Sequence, residues 1–181
     1  MKTTGIVRRI DDLGRIVIPK EIRRTLHIRD GDSLEIFTDR DGSVVFRKYS
    51  PVRELSPFAE QYSEVLNRTT SLPILICDRD CVIAVAGLSC EEYMDRKISS
   101  SLDGIMESHK GFFLQENNSS IFQAIEGAES KASVVAPILL SGNDVAGCVI
   151  AIAQTPSSIA NETQIKQIEM VAEIMARQVR G

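Results

Sequence analysis

The 181-residue sequence predicts an α+β protein made of two units. Three observations carry that prediction. Short β-branched runs alternate with short helical patterns, a basic opening segment gives way to an acidic remainder near Ser50-Pro51, and the chain closes on an apolar hairpin followed by a long amphipathic helix. With 43% hydrophobic and 25% charged residues the composition is that of a globular chain. No apolar run nears the ~18 residues of a membrane span. Nor does a hydrophobic stretch of signal-peptide length follow Met1, so a cytoplasmic protein without membrane association is expected.

The first unit, residues 1–50, reads as four short strands around one short helix. Residues 5–10 are extended in character, Asp11-Asp12-Leu13-Gly14 form a turn, and Arg15-Ile16-Val17-Ile18 is a β-branched run. Pro19 suits the first position of a helix, where its missing N–H costs nothing. Ile22 and Leu26 then fall on one face at i, i+4, with Lys20, Glu21, Arg23 and Arg24 around the rest. A turn over 29–32, a strand over 33–38, the tight Asp41-Gly42 hairpin and Val44-Val45-Phe46 complete it. Around fifty residues bury little surface on their own, and domains of about that size are marginal without metals, disulfides or oligomerisation. Residues 1–50 hold no cysteine. Strands from two chains completing one core are therefore expected, which makes this unit a dimer.

Residues 51–55 read as a linker, and the second unit spans 56–181. Ser56-Pro57 is a helix start, after which Phe58, Tyr62, Val65, Leu66 and Thr69 line one face. Two apolar strands, 72–77 and 81–86, flank Asp78-Arg79-Asp80 as a hairpin. Residues 89–131 are mixed, with breaks near Gly111, Asn117-Asn118 and Gly127. A second hairpin places 133–140 and 145–153 around Ser141-Gly142-Asn143-Asp144. From Asn161 a helix spaces Ile165, Ile168, Ala172, Met175 and Val179 by 3-4-3-4, a coiled-coil seam over two heptads, with Val171 and Ile174 as a second apolar flank. This helix is expected to touch both its own sheet and another helix.

The net charge of −4 hides an asymmetry. Residues 1–50 carry 11 Lys/Arg against 8 Asp/Glu, residues 51–181 carry 10 against 17, and residues 1–29 alone hold 8 against 3. A basic module attached to an acidic one follows. Its cations are Arg8, Arg9, Arg15, Lys20, Arg23 and Arg24, with Arg29 and Arg47 read as ordinary surface charges. Arg8 and Arg9 are neighbours on a strand and point to opposite faces. Arg15 stands at the mouth of the turn, and Arg23 and Arg24 lie on the helix away from Ile22 and Leu26. Arginine dominates over lysine, and its planar fork suits phosphate oxygens and guanine edges. No aromatic residue precedes Phe37, so stacking platforms for single strands are absent and duplex DNA is the better target.

The contiguous block from Thr4 to Leu26, continued by Asp32, Leu34-Glu35-Ile36 and Lys48-Tyr49, resembles the swapped-hairpin DNA-binding domain of the AbrB family. The resemblance implies an intertwined β-barrel dimer that exchanges hairpins, and a transcription regulator of the transition-state and sporulation type. It places the DNA-contacting arginines at Arg8, Arg15, Arg23 and Arg24, with Arg9 where relatives carry a basic residue. The second unit resembles a GAF-type sensor domain through Ala136-Pro137-Ile138-Leu139, Val145-Ala146-Gly147-Cys148-Val149-Ile150 and the order of sheet and helices. This implies either a small-molecule effector site or a filled core whose helices join dimers into a homotetramer. No cyclic-nucleotide signature or chromophore-attachment context is present, and no effector is named by the sequence. Ile76, Val85, Val135 and Val149 are the candidate cavity walls. Together the two resemblances imply a nucleoid-associated protein of the cytoplasm, in the forespore.

The other reactive residue types read as structure. Cys77, Cys81, Cys90 and Cys148 form no C-x-x-C pair and, with only His27 and His109, make no zinc set, so reduced and mostly packed thiols are expected. Asp11 and Asp12 in a tight turn serve local hydrogen bonding to the backbone. His27 at the helix end is a cation favoured by the dipole. No phosphate loop, paired-carboxylate pattern or assembled triad is present, so no catalytic residue, metal or cofactor is expected. The competing class is a protein-interaction module, since relatives of the swapped hairpin serve as antitoxins. Their short, acidic, disordered tails contrast with the hydrophobic strands found here after residue 56.

Overall fold

The computed structural model describes residues 5–114, 122–128, 131–141, 144–153 and 159–180. The chain divides into two compact units, Met1–Tyr49 and Ser50–Gly181. Expectations placed on Thr4, Asn117-Asn118 and Gly142-Asn143 fall outside the described residues.

In the first unit, helix α1 (Lys20–Thr25) precedes an antiparallel hairpin of β1 (Leu34–Thr38) and β2 (Val44–Lys48). Its turn is closed by the Asp39 amide donating to the Ser43 carbonyl at 2.9 Å, with Gly42 at φ 82°. Pro19 is the N-cap of α1 rather than its first residue, at ψ 144°. Residues 5–10 and 15–18, expected as strands, join no ladder among the described residues. Only the turn between them is tied, by the Asp11 amide to the Arg15 carbonyl and the Gly14 amide to the Asp11 carbonyl, both 3.0 Å.

Little of this unit is buried. Among residues 5–49 Pro19 is the only buried residue. Val7 is 89% exposed, Leu13 75% and Val17 73%, and Ile36, Val44 and Phe46 on the hairpin are exposed as well. So much exposed apolar surface is unusual for a unit standing alone in water.

The second unit contains a five-stranded antiparallel sheet in the order β4-β3-β7-β6-β5. Its strands are β3 (Ile74–Asp78), β4 (Val82–Ala86), β5 (Phe112–Phe113), β6 (Lys131–Leu139) and β7 (Val145–Ala153). The α+β class is therefore observed in both units. On one face lie α2 (Pro51–Glu54), α3 (Ser56–Thr70) and α6 (Glu162–Arg180), and on the other α4 (Cys90–Tyr93) and α5 (Ser100–Glu107). β3 and β7, covered on both faces, read as continuous apolar runs. Residues 51–55, expected as a linker, begin with α2: Ser50 caps it through the Arg53 amide, and Val52 is fully buried in the helix-side core.

α3 buries Ala59, Ser63, Leu66 and Thr70 against the sheet. Of the face lined by Phe58, Tyr62, Val65, Leu66 and Thr69, Leu66 reaches the sheet while Phe58 is 45% and Val65 47% exposed. Small residues let the helix approach β3 and β4 closely, and the large ones are displaced outward. The α6 seam is used within its own unit, since Ile168, Ala172 and Met175 are buried in the helix-side core with Val171 and Ala176. Gln164 donates to the Thr70 carbonyl at 2.8 Å and Gln178 to the Tyr62 hydroxyl at 2.9 Å, so α6 and α3 run antiparallel. The four candidate cavity walls divide between the two faces. Ile76 and Val149 belong to the helix-side core, while Val135 and Val85 pack on the α4–α5 side. Strand alternation separates them, and they enclose no common space.

Candidate nucleic-acid interface

All six expected cations are carried by the first unit. Arg8 and Arg9 lie on the incoming extended arm, Arg15 at the start of the outgoing arm, and Lys20, Arg23 and Arg24 on α1. Arg8, Arg9, Arg15, Lys20 and Arg24 are exposed, and Arg23 is half-buried. Positions 20, 23 and 24 are i, i+3 and i+4 neighbours, so the three cations of α1 share one side of the helix. The structure thus groups them locally as a turn cluster and a helix cluster.

The turn cluster is organised by Asp11. Its Oδ1 accepts from the amides of Leu13 at 3.1 Å and Arg15 at 2.7 Å, and its Oδ2 accepts from Arg15 Nε at 2.8 Å. Gly14, at φ 76°, supplies the left-handed residue the turn needs. The Arg15 amide, and after it the Arg15 guanidinium, hold the Asp11 carboxyl below the usual carboxylate range. The local backbone bonding expected of Asp11 is present, and its grip on the Arg15 side chain is an addition that sequence reasoning missed. The i, i+4 spacing across the turn is the signal that would have found it.

The helix cluster has a similar device. Arg23 Nη1 meets Asp30 Oδ1 at 2.6 Å across the α1–β1 connection. Arg23 Nε is buried without a hydrogen-bond partner among the described residues. The connection itself is pinned where Lys48 Nζ donates to the His27 carbonyl at 3.1 Å, with His27 at φ 51° just past the helix end. Arg8, Arg9, Lys20 and Arg24 make no ion pair among the described residues. Arg47, read as an ordinary surface charge, stacks its guanidinium carbon 4.9 Å from the centroid of Phe37 on the exposed hairpin.

Among the described residues no group of three or more His, Cys, Asp or Glu could hold a metal, and no helix is long and apolar enough to cross a membrane. The four cysteines are free.

Comparison with known proteins decides the family. The profile of the family described as stage V sporulation protein T C-terminal, transcription factor, matches residues 54–180. The chain belongs to the stage V sporulation protein T family. The stage V sporulation protein T of Bacillus subtilis is 44% identical over 181 residues, covering 99% of both chains. The first unit carries a second likeness. The transition state regulatory protein AbrB of the same organism is 57% identical over 51 residues, 28% of this chain and 52% of AbrB. The profile described as antidote-toxin recognition MazE, bacterial antitoxin, matches residues 7–54. Among solved structures, the N-terminal DNA recognition domain of B. subtilis AbrB aligns at 57% identity over 28% of this chain and 94% of that one, with a TM-score of 0.25.

Proposed function

We propose that this member of the stage V sporulation protein T family is a transcription regulator of sporulation genes that binds duplex DNA through Arg8, Arg9, Arg15, Lys20, Arg23 and Arg24. The observation that carries the reading is the conjunction, in one 49-residue unit, of a set of solvent-facing cations with an apolar surface that cannot close on itself. Two copies exchanging their 5–18 hairpins would bury that surface and double the cation set. The family description as a transcription factor and the 57% identity to a transition state regulator support the same reading. No long recognition helix is available, because α1 spans only Lys20–Thr25, so readout relies on DNA shape and deformability together with a few arginine contacts.

The second unit supplies assembly and sensing. The outward face of α3, with Phe58 stacked on Tyr62 at 6.5 Å and Val65 exposed, offers an apolar surface for a second two-fold contact. Two independent two-fold interfaces join dimers into a tetramer, whose paired DNA heads gain from effective concentration. The resemblance to a GAF-type sensor supports a role for this unit in binding a small effector. The MazE match keeps an antitoxin-like, protein-binding head as the second reading. The 15-residue α3 and the double-sided sheet after residue 54 differ from a short disordered tail.

Filter binding of the full chain to a duplex, titrated with salt, tests the reading. About eight or more phosphate contacts per dimer predict a loss of several orders of magnitude between about 50 and 200 mM salt. Arg15→Ala and Arg24→Ala should weaken binding while light scattering still reports the assembled mass. An affinity that ignores salt, or a monomer at micromolar concentration, rejects it.

A further inference from the structure

The six cations are of two kinds, and the difference lies in two carboxylates that the DNA-binding reading does not use. Arg15 and Arg23 each hold an aspartate, at 2.8 and 2.6 Å, whereas Arg8, Arg9, Lys20 and Arg24 have no ion pair among the described residues. We propose that Asp11 and Asp30 are specificity-determining positioning residues, which aim Arg15 and Arg23 and remove their contribution to indiscriminate phosphate attraction. The proposal rests on the DNA-binding reading above and assigns a division of labour within it.

The geometry gives each aspartate a distinct effect. Asp11 Oδ2 takes the Nε edge of Arg15, while Oδ1 is fixed by the amides of Leu13 and Arg15 itself. The carboxylate is therefore anchored to the backbone, and the guanidinium anchored to the carboxylate. What remains free on Arg15 is the Nη1/Nη2 end, the fork that matches two acceptors on a guanine edge or a phosphate. In Arg23 the restriction goes further. Nη1 is given to Asp30 and Nε is buried, which leaves Nη2 as the nitrogen with no bond within the chain's described residues. A tethered guanidinium has already lost much of its rotamer freedom, so a ligand acceptor placed where the fork points gains, and one placed elsewhere meets an immobile donor.

The charges act in the same sense. A carboxylate beside each of these arginines cancels most of its field at the distances over which a phosphate backbone is first attracted. The same carboxylate repels a phosphate that approaches without the geometry the fork requires, which discriminates against wrong sites as well as favouring right ones. Arg8, Arg9, Lys20 and Arg24, lacking such partners, supply the sequence-independent attraction. The Asp11 carboxyl, held low by the Arg15 amide and guanidinium, stays ionised throughout the physiological range and keeps the pair intact there.

The test measures full-length protein against two duplexes of equal length by fluorescence anisotropy over a salt series. One duplex is selected from a random pool by the wild-type protein, and the other is its scrambled counterpart. Asp11→Asn and Asp11→Ser both keep an oxygen for the turn amides and lose the charge, while Asp30→Asn does so for Arg23. The expected result is a several-fold rise in affinity for the scrambled duplex, a salt slope steeper by about one per released cation, and a selected-to-scrambled ratio that falls about tenfold or more. Arg8→Ala and Arg24→Ala should instead lower both affinities in parallel. Asp11→Asn combined with Arg15→Ala should match Arg15→Ala alone, because Asp11 acts through Arg15. Aspartate variants of wild-type mass and circular dichroism that leave ratio and slope unchanged, or that lower both affinities together, overturn the division of labour while leaving DNA binding standing. A wild-type chain that selects no duplex from the pool overturns both.

Discussion

Arg53, in the four-residue helix that opens the second unit, donates from Nε to Asp78 Oδ2 at 3.3 Å. Asp78 closes β3 with its side chain 5% exposed, and its Oδ1 accepts the amides of Asp80 and Cys81 at 2.8 Å each. A second arm of Arg53, Nη2, reaches Asp95 Oδ1 at 3.2 Å. One arginine thus ties α2 to both the β3–β4 turn and the segment after α4.

Removing that arginine should cost about 1–2 kcal/mol, discounted because the guanidinium is half-exposed and its bond to Asp78 is long. Asp78→Ala should cost more, about 2–4 kcal/mol, since two turn amides lose their acceptor as well. Urea denaturation of the second unit measures both. Arg53→Ala costing more than Asp78→Ala would contradict the assignment of Asp78 as the hub.

Gly147→Ala should destabilise the second unit by about 2 kcal/mol or more. A Cβ at this position of β7 would collide with the Cys77 carbonyl oxygen and lie 3.1 Å from the Asp78 Cα, both backbone atoms of the neighbouring strand. The contrasting control is Gly104→Ala in α5, where an added Cβ meets nothing within 4 Å. There the helix should become more stable by a few tenths to about 1 kcal/mol. Thermal unfolding of the two variants side by side reads the difference directly.

Thiol labelling should separate the cysteines in order of access. Cys90 is exposed and labels first, while Cys77 and Cys148, paired in register on β3 and β7, label only on unfolding. Burial, followed by the Asp78 charge, pushes the Cys81 thiol up to about 11 from an ordinary 9.0. At pH 8 its thiolate fraction is therefore about a hundredfold below that of an unperturbed thiol. The same shift sets a stability window. Cys81 stabilises the fold fully while pH stays below about 9, and that contribution is lost as pH rises through about 11. A Cys81 that labels as fast as Cys90 at pH 8 would contradict this.

The Asp11 turn should fail in acid. Its carboxyl titrates below 3.8, so the contribution of the turn is complete above that pH and is lost as pH falls through the lower folded value. Hydrogen exchange at the amides of Leu13 and Arg15, the two that Asp11 Oδ1 accepts, should lose protection there before the β1–β2 hairpin does.

Much of this architecture is legible in the residues. The strands of the two hairpins of the second unit fall where apolar runs flank Asp78-Arg79-Asp80 and residues 141–144, because strand runs and turn residues are local signals. The inner face of α3 was not legible. Its buried positions are Ala59, Ser63 and Thr70 beside Leu66, and hydrophobic size points to the opposite stripe. Helix–sheet distance decides that choice, and no local pattern encodes it. The α6 seam illustrates the same ambiguity, since 3-4-3-4 spacing serves equally a partner helix or the helix's own sheet, and Met175 packs on the sheet. In the candidate interface the arginines stand out by charge and position. Of their aspartate partners only Asp11 carries a signal, its i, i+4 spacing from Arg15, whereas Asp30 lies seven residues from Arg23 across a connection that no local pattern spans.

Pro19, alone among residues 5–49 in being buried, also bears on how the protein is made. The first unit leaves the ribosome before the second, and the rest of the chain takes on the order of ten seconds to synthesise. For that interval thirteen large apolar side chains of the nascent head stand in water. With the hairpin exchange proposed above, the nearest remedy is another head emerging from a neighbouring ribosome on the same message. Pairing on the ribosome would then shorten the time for which this sticky precursor is open to chaperones and proteases.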